Sequence, residues 1–101
     1  MKYLIKDITD KTGKTRIDDR YPNRIGSTIQ MNQRPVVGHP FIFRYVKHDE
    51  KGNCIEDHIT MTSNVKKIGK CHLPEFVGVI VHTNNSIYYF ENMEGKDYVM
   101  S

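Results

Sequence analysis

Along most of this chain apolar and polar residues alternate with a period of two, which turns successive side chains to opposite faces of an extended strand. Over Lys2–Ile8, Tyr3 and Ile5, flanked by Leu4, stand against Lys2, Lys6 and Asp7 and predict a first strand. A polar turn follows (Thr9 to Lys14, with Gly13 able to take positive φ), then a short returning strand over Thr15–Ile17. The loop Asp18–Asn23 contains Pro22, which removes a backbone donor and interrupts pairing; a single helical turn fits within residues 17–23 or in the C-terminal tail. Arg24–Met31 reads as the next strand through Ile25 and Ile29, with a break at Asn32–Pro35.

The strongest β segment is Phe41–Val46. Phe41, Phe43 and Tyr45 share one face, Ile42, Arg44 and Val46 the other, so the strand is expected between two layers or inside a barrel. Asp49–Asn53 predicts a hairpin turn. The return strand runs from Cys54 to Thr62 and continues, or bends through a bulge, over Ser63–Ile68. Gly69–Pro74 reads as a connector. Phe76–Thr83 is a further strand with Val77, Val79 and Val81 on one side, Asn84-Asn85 a tight turn, and Ser86–Glu91 the last strand. Residues 92–101 carry no pattern and read as a polar tail. The expectation is one all-β domain over residues 1–91, a small antiparallel barrel or sandwich of SH3-like or OB-like size with six or seven short strands.

Composition strengthens that reading. The 101 residues include no Ala, no Trp and only two Leu, against eleven Ile, eight Val, seven Thr, six Tyr and four Phe. Helices favour Ala, Leu, Glu and Gln, whereas β-branched and aromatic side chains suit a pleated, half-buried surface. At 11.8 kDa the chain is one domain's worth, which excludes tandem modules and large enzyme folds. No apolar run approaches the roughly 20 residues of a membrane helix, and the first residues lack the apolar stretch of a secretory signal, so a cytoplasmic, membrane-free location is expected.

The chain carries four short motifs: Arg20-Tyr21-Pro22-x-Arg24-Ile25-Gly26; Gly38-x-Pro40-Phe41; Thr62-Ser63-x-Val65; and Val81-x-Thr83-x-Asn85-Ser86-x-Tyr88-x-Phe90-Glu91. Over residues 16–91 this pattern resembles a loose group of small proteins of Firmicutes and their phages and mobile elements. The resemblance carries no catalytic residue; it implies an accessory role, such as action against a host defence. Physically the shared positions read mostly as architecture: Gly26 and Gly38 as bulge or turn glycines, Thr83–Ser86 as a hairpin turn, and Tyr88 and Phe90 as same-face core residues with a solvated Tyr88 hydroxyl.

The candidate chemistry is sparse. Cys54, His58, Cys71 and His72 supply zinc-type ligands, but on a strand Cys54 and His58 lie about 13 Å apart, and the adjacent Cys71 and His72 point to opposite sides. No metal, no cofactor and free thiols are expected. Five histidines could serve a small ribonuclease-type toxin, yet there is no nucleophile elbow and no phosphate-cradling glycine loop, so a non-enzymatic protein is expected.

The net charge of +3, from fifteen basic and twelve acidic residues, is too small for a committed nucleic-acid binder. Eight of the fifteen basic residues, however, lie mid-chain: Arg16, Arg20, Arg24, Arg34, Arg44, Lys66, Lys67 and Lys70. From these, Arg20, Arg24, Arg44, Lys66 and Lys67, with Tyr21, are the candidates for holding an anionic nucleotide or nucleic acid. The opposing interpretation pairs Arg20 and Arg24 with Asp18 and Asp19 as a solvated loop. Tyr45, Tyr88 and Tyr89 are the candidate face for a host protein or for a second copy. Because Phe41–Phe43 and Ser86–Phe90 are apolar strands with little to guard them, at least one is expected at a sheet edge or with an aromatic face exposed, giving a two-fold homodimer by edge pairing or by stacked tyrosine faces.

Overall fold

The structure, a computed structural model, describes residues 2–19, 21–31, 33–48, 54–55 and 59–93. It contains β1 (Lys2–Thr9), a single helical turn α1 (Tyr21–Arg24), β2 (Thr28–Gln30), β3 (Pro40–His48), β4 (Cys54–Ile55), β5 (Ile59–Leu73), β6 (Phe76–Thr83) and β7 (Ile87–Asn92). Neighbouring strands pair in the order β2-β1-β7-β6-β5-β3-β4, all antiparallel, and a further pairing of β2 with β3 closes the sheet. Six strands therefore form a closed barrel, with β4 a short flap on the end of β3. The expectation of a small all-β protein holds, and closure selects the barrel over the sandwich.

The alternation read from the sequence becomes an inside and an outside. Tyr3, Ile5, Ile8, Ile29, Phe41, Phe43, Val65, Val81, Tyr88 and Phe90 form the core. Ile5 and Ile8 both point inward although three positions apart, because the β1–β7 register shifts between Ile5 and Asp7. Phe43 sits centrally, with ring centroids 5.5 Å from Phe41 and Phe90, 5.6 Å from Tyr45 and 6.0 Å from Tyr88. The buried Thr62 hydroxyl accepts the Phe41 N–H at 3.1 Å beside the irregularity between Pro40 and Ile42, so the interrupted ladder keeps a partner.

Three expectations are corrected. Thr15–Ile17 contributes one isolated bridge, Thr9 to Thr15, beside which the Arg16 N–H donates to the Ile8 carbonyl at 2.8 Å. Arg24–Met31 is not one strand: α1 holds Tyr21–Arg24, where Pro22 is tolerated in the first turn. Gly26 (φ 91°) then redirects the chain, its N–H donating to the Ile5 carbonyl, and only Thr28–Gln30 pairs as β2. Gly69–Pro74 is not a connector. Gly69–Leu73 continue β5 opposite β6, and the turn falls at Pro74-Glu75. The hairpin turn placed at Asp49–Asn53 lies outside the described residues.

β5 joins two parts of the barrel. Its first part pairs with β3 up to Asn64, and from Val65 onward it pairs with β6, with a register shift between Val65 and Lys67. The bulge turns the strand around the barrel's corner. Beyond it, the side of Lys66–Leu73 away from β6 has no strand partner among the described residues.

Ser86–Phe90 is not an edge, since β7 pairs with β1 and β6 on its two sides, whereas Phe41–Phe43 pairs with β5 alone: β2 reaches only Arg44–Val46, and the other side of Phe41–Phe43 has no strand partner among the described residues. The physical basis for a dimer paired through Ser86–Phe90 is therefore absent, because closure satisfies both sides of that strand.

Candidate functional site

The arginines expected to gather around Tyr21 do so in part, as structure. Arg16, not Arg24, is the ion-pair partner of the loop: its guanidinium meets the Asp18 carboxylate at 2.7 and 3.1 Å. The same group donates to the Asn85 carbonyl at 2.8 Å and to the Ser86 hydroxyl at 2.9 Å, and lies 4.2 Å from the centre of the Tyr21 ring. It clamps the residues before α1 to the β6–β7 turn. That pairing raises the Arg16 pKa and holds the exposed Asp18 carboxyl below its ordinary value. The Arg24 guanidinium lies 5.2 Å from the centre of the same ring and approaches the Tyr88 hydroxyl. Arg20 lies outside the described residues.

The remaining candidates disperse. Arg44 projects from the outer wall beside Gln30, Ile42 and Ile59. Lys66 and Lys67 are exposed at the β5 bulge, apart from Arg24 in α1 and Arg44 on β3. No one surface gathers these groups around Tyr21.

The tyrosine face is corrected as well. Tyr88 is only 3% exposed, and Tyr45 turns inward against Phe43, because both belong to the apolar repeat that closure encloses. Tyr89, one position along, does face outward and meets Phe76 edge-on at 6.5 Å. The outer wall instead exposes Ile42, Ile59 and Met61; Ile42 and Met61 are cross-strand partners on β3 and β5.

Burial pushes the Tyr88 phenol up to about 12 from its ordinary 10.0, with Arg24 opposing. The folded state thus holds this proton more tightly than the unfolded chain. The resulting stability is fully present below about pH 10 and is lost as pH rises towards the folded value. Tyr88→Phe is expected to remove roughly 2–3 kcal/mol of alkaline destabilisation near pH 12, read as a flatter fall in the urea midpoint above about pH 10.

The most site-like feature is at the opposite end of the barrel. Along β7 the interior runs from Tyr88, near α1, through Phe90 to Asn92, which lines a cleft of about 570 Å³. That volume falls within the roughly 300–1,000 Å³ of small-ligand sites, which often occupy barrel mouths. Its floor is Tyr3, Ile68, Val77 and Val79; Met31 and Pro35 close one side. Three cationic or protonatable groups reach it: Arg34 from the segment before β3, and Lys70 and His72 from β5. Lys70 stands directly across from Val79 and His72 from Val77, so both share the inner face of the β5–β6 hairpin. No Asp or Glu lines the cleft. Among the described residues neither Arg34 nor Lys70 has an ion-pair partner.

Gly78, one of the residues lining the cleft, is where β6 and β7 pack closely. A Cβ built there would fall 1.9 Å from the Phe90 carbonyl oxygen, so only glycine lets the strands meet at that point.

Arg34, Lys70 and His72 were absent from the candidate anion set. The available signal was the alternation Ile68-x-Lys70-x-His72 continuing into the valine face of β6, hidden by reading Gly69 and Pro74 as breaks. Of the four sulfur and imidazole groups weighed for zinc, Cys71 is half-buried on β5 and His72 lines the cleft, whereas the Cys54 side chain and His58 lie outside the described residues.

Comparison of the chain with protein-family models, with curated proteins and with solved structures finds no match. No helix among the described residues is long and apolar enough to cross a membrane.

Proposed function

We propose that this chain is a non-catalytic binding protein, of the accessory kind that phages and mobile elements carry, and that it holds an anionic, partly apolar partner group in the cleft at the barrel mouth. The observation that carries the reading is an apolar floor bordered by Arg34, Lys70 and His72 with no carboxylate among its lining residues. A cation over an apolar surface attracts a group with an anionic end and an apolar body, because each part meets its preferred surroundings. The absence of a carboxylate in the lining also leaves His72 without the acid partner that general acid–base hydrolysis would use there. This favours binding over a ribonuclease-type reaction. The phage and anti-defence element rests on the resemblance over residues 16–91.

The test uses 1-anilinonaphthalene-8-sulfonate, an aromatic body with one sulfonate. Its fluorescence is expected to rise on the folded protein and to titrate to saturation. The double variant Arg34→Glu with Lys70→Glu is expected to weaken it by at least about tenfold, equivalent to ~1.4 kcal/mol, at an unchanged melting temperature. Equal binding by the wild type and the folded double variant would remove the cleft from consideration.

A further inference from the structure

The cleft has one wall that small-ligand sites lack. The side of β5 facing away from β6, over Lys66–Leu73, has no strand partner among the described residues. The last contacts on that side are at Val65, whose N–H donates to the His39 carbonyl at 2.9 Å and whose carbonyl accepts the Gly38 N–H at 2.8 Å. The segment leading to β3 then diverges, and its residues Gln33 to Pro35 form the opposite wall of the cleft. A gap is thus left in the sheet where a strand would fit, floored by side chains of the barrel interior. Eight extended residues span roughly 26 Å, enough for a partner strand of ordinary length, about five or six residues.

An open edge of this kind accepts any strand whose side chains its surroundings tolerate. Here those surroundings are charged with one sign. β5 carries Lys66, Lys67, Lys70 and His72 and no carboxylate anywhere from Ile59 to Leu73, and Arg34 faces it across the cleft. A second copy of this chain pairing edge to edge would bring the same lysines together, and like charges across a strand pair are destabilising. A strand rich in Asp or Glu meets the opposite situation.

We infer that the cleft is a strand-addition site for an extended acidic segment of another protein, which pairs its backbone with Lys66–Leu73 and places its carboxylates against Arg34, Lys70 and His72. Alternation turns the segment's acidic residues to the inner face that Ile68, Lys70 and His72 share, and its intervening apolar residues to the outer face beside Gly69, Cys71 and Leu73. Lys66 and Lys67, at the start of the edge, attract the incoming chain without entering the cleft. The inference rests on the proposed anion-binding role of the cleft and names its partner class.

The experiment uses a fluorescein-labelled peptide of about seven residues alternating Glu and Val, titrated by fluorescence anisotropy. Two relatives accompany it: one with Lys in place of Glu, and one methylated at alternate backbone nitrogens so that it keeps every side chain but cannot complete a ladder. The acidic peptide is expected to bind, and the other two to bind at least about tenfold more weakly. In amide-resolved NMR, the residues from Lys66 to Leu73 are expected to gain protection from exchange. Lys70→Glu is expected to weaken the acidic peptide and improve the lysine one, a reversal that a misfolded variant would not produce. Equal affinity for the acidic peptide and its methylated relative would overturn strand addition while leaving the anion site standing. Failure of both the peptide and the sulfonate dye would overturn the two together.

Discussion

Gly78→Ala is expected to lower the melting temperature by roughly 12–24 °C, corresponding to about 3 kcal/mol in a domain of this size. The added methyl would stand 1.9 Å from the Phe90 carbonyl oxygen and 3.0 Å from the Glu91 Cα, and both are backbone atoms that no rotamer change can move. Overpacking a core side chain usually costs about 1–3 kcal/mol, and a collision with a paired strand lies at or above the top of that range. The strands must separate, and the cleft floor beside Gly78 shifts with them, so dye binding is expected to fall in the same variant. Gly69→Ala provides the contrast. It lies in the neighbouring strand, where a Cβ meets nothing within 4 Å, and glycine is itself unfavourable in a strand interior. That variant is expected to match or exceed the wild type in thermal melting. If the two alanine variants melted alike, the close approach of β6 and β7 would be wrong.

Phe90→Ala is the second large effect, about 3–5 kcal/mol, read as a lower urea midpoint with an unchanged slope. Phe90 is fully buried, with its ring 5.5 Å from Phe43, 5.7 Å from Phe41, 5.8 Å from Tyr88 and 6.4 Å from Tyr3. These neighbours come from β1, β3 and β7, so the side chain fills the space that closure creates and no single strand can collapse to refill it. Phe76, equally large but half-exposed on the outer wall against Tyr89, is expected to cost under about 1.5 kcal/mol on the same substitution. Similar losses at the two positions would contradict the assignment of inside and outside. Phe90 also lies between the α1 end of the interior and the cleft, so Phe90→Ala tests whether the barrel's middle supports the cleft at its mouth.

Much of the fold was legible because a strand writes its two faces into alternate residues. Phe41-x-Phe43-x-Tyr45 and Tyr88-x-Phe90 marked the interior, and Phe76–Thr83 matched β6 from end to end. The turn glycines were legible too: Gly13, Gly26 and Gly38 all take φ near 90°, where other residues are strained. So was the Thr83–Ser86 turn, in which the Thr83 hydroxyl donates to the Ser86 carbonyl at 3.0 Å. Errors gathered where local signals have two meanings. Glycine and proline at Gly69 and Pro74 mark a loop in isolation, but a long strand tolerates one glycine when its partner strand holds it, and the proline fell just past the end. Pro22 disqualified a strand and equally fitted the first turn of α1.

The candidate site was less legible than the fold. Alternation states which residues share a face, but not which faces meet. Arg24, Arg44, Lys66 and Lys67 and the set Arg34, Lys70 and His72 are spread over similar lengths of chain, yet the first separates in space and the second shares one cleft. Likewise, of the aromatic residues that look like an exposed patch, Tyr88 is core and Tyr45 is partly buried against it, because β2 pairing with β3 closes the barrel around the face they share. The sequence by itself determined the β class, the inward repeat and most of the turns, all of which depend on neighbours within a few residues. Only the tertiary structure decided closure, the change of partner along β5, and hence which strand edge stayed open and which cations surround it, since each depends on pairing between residues tens of positions apart.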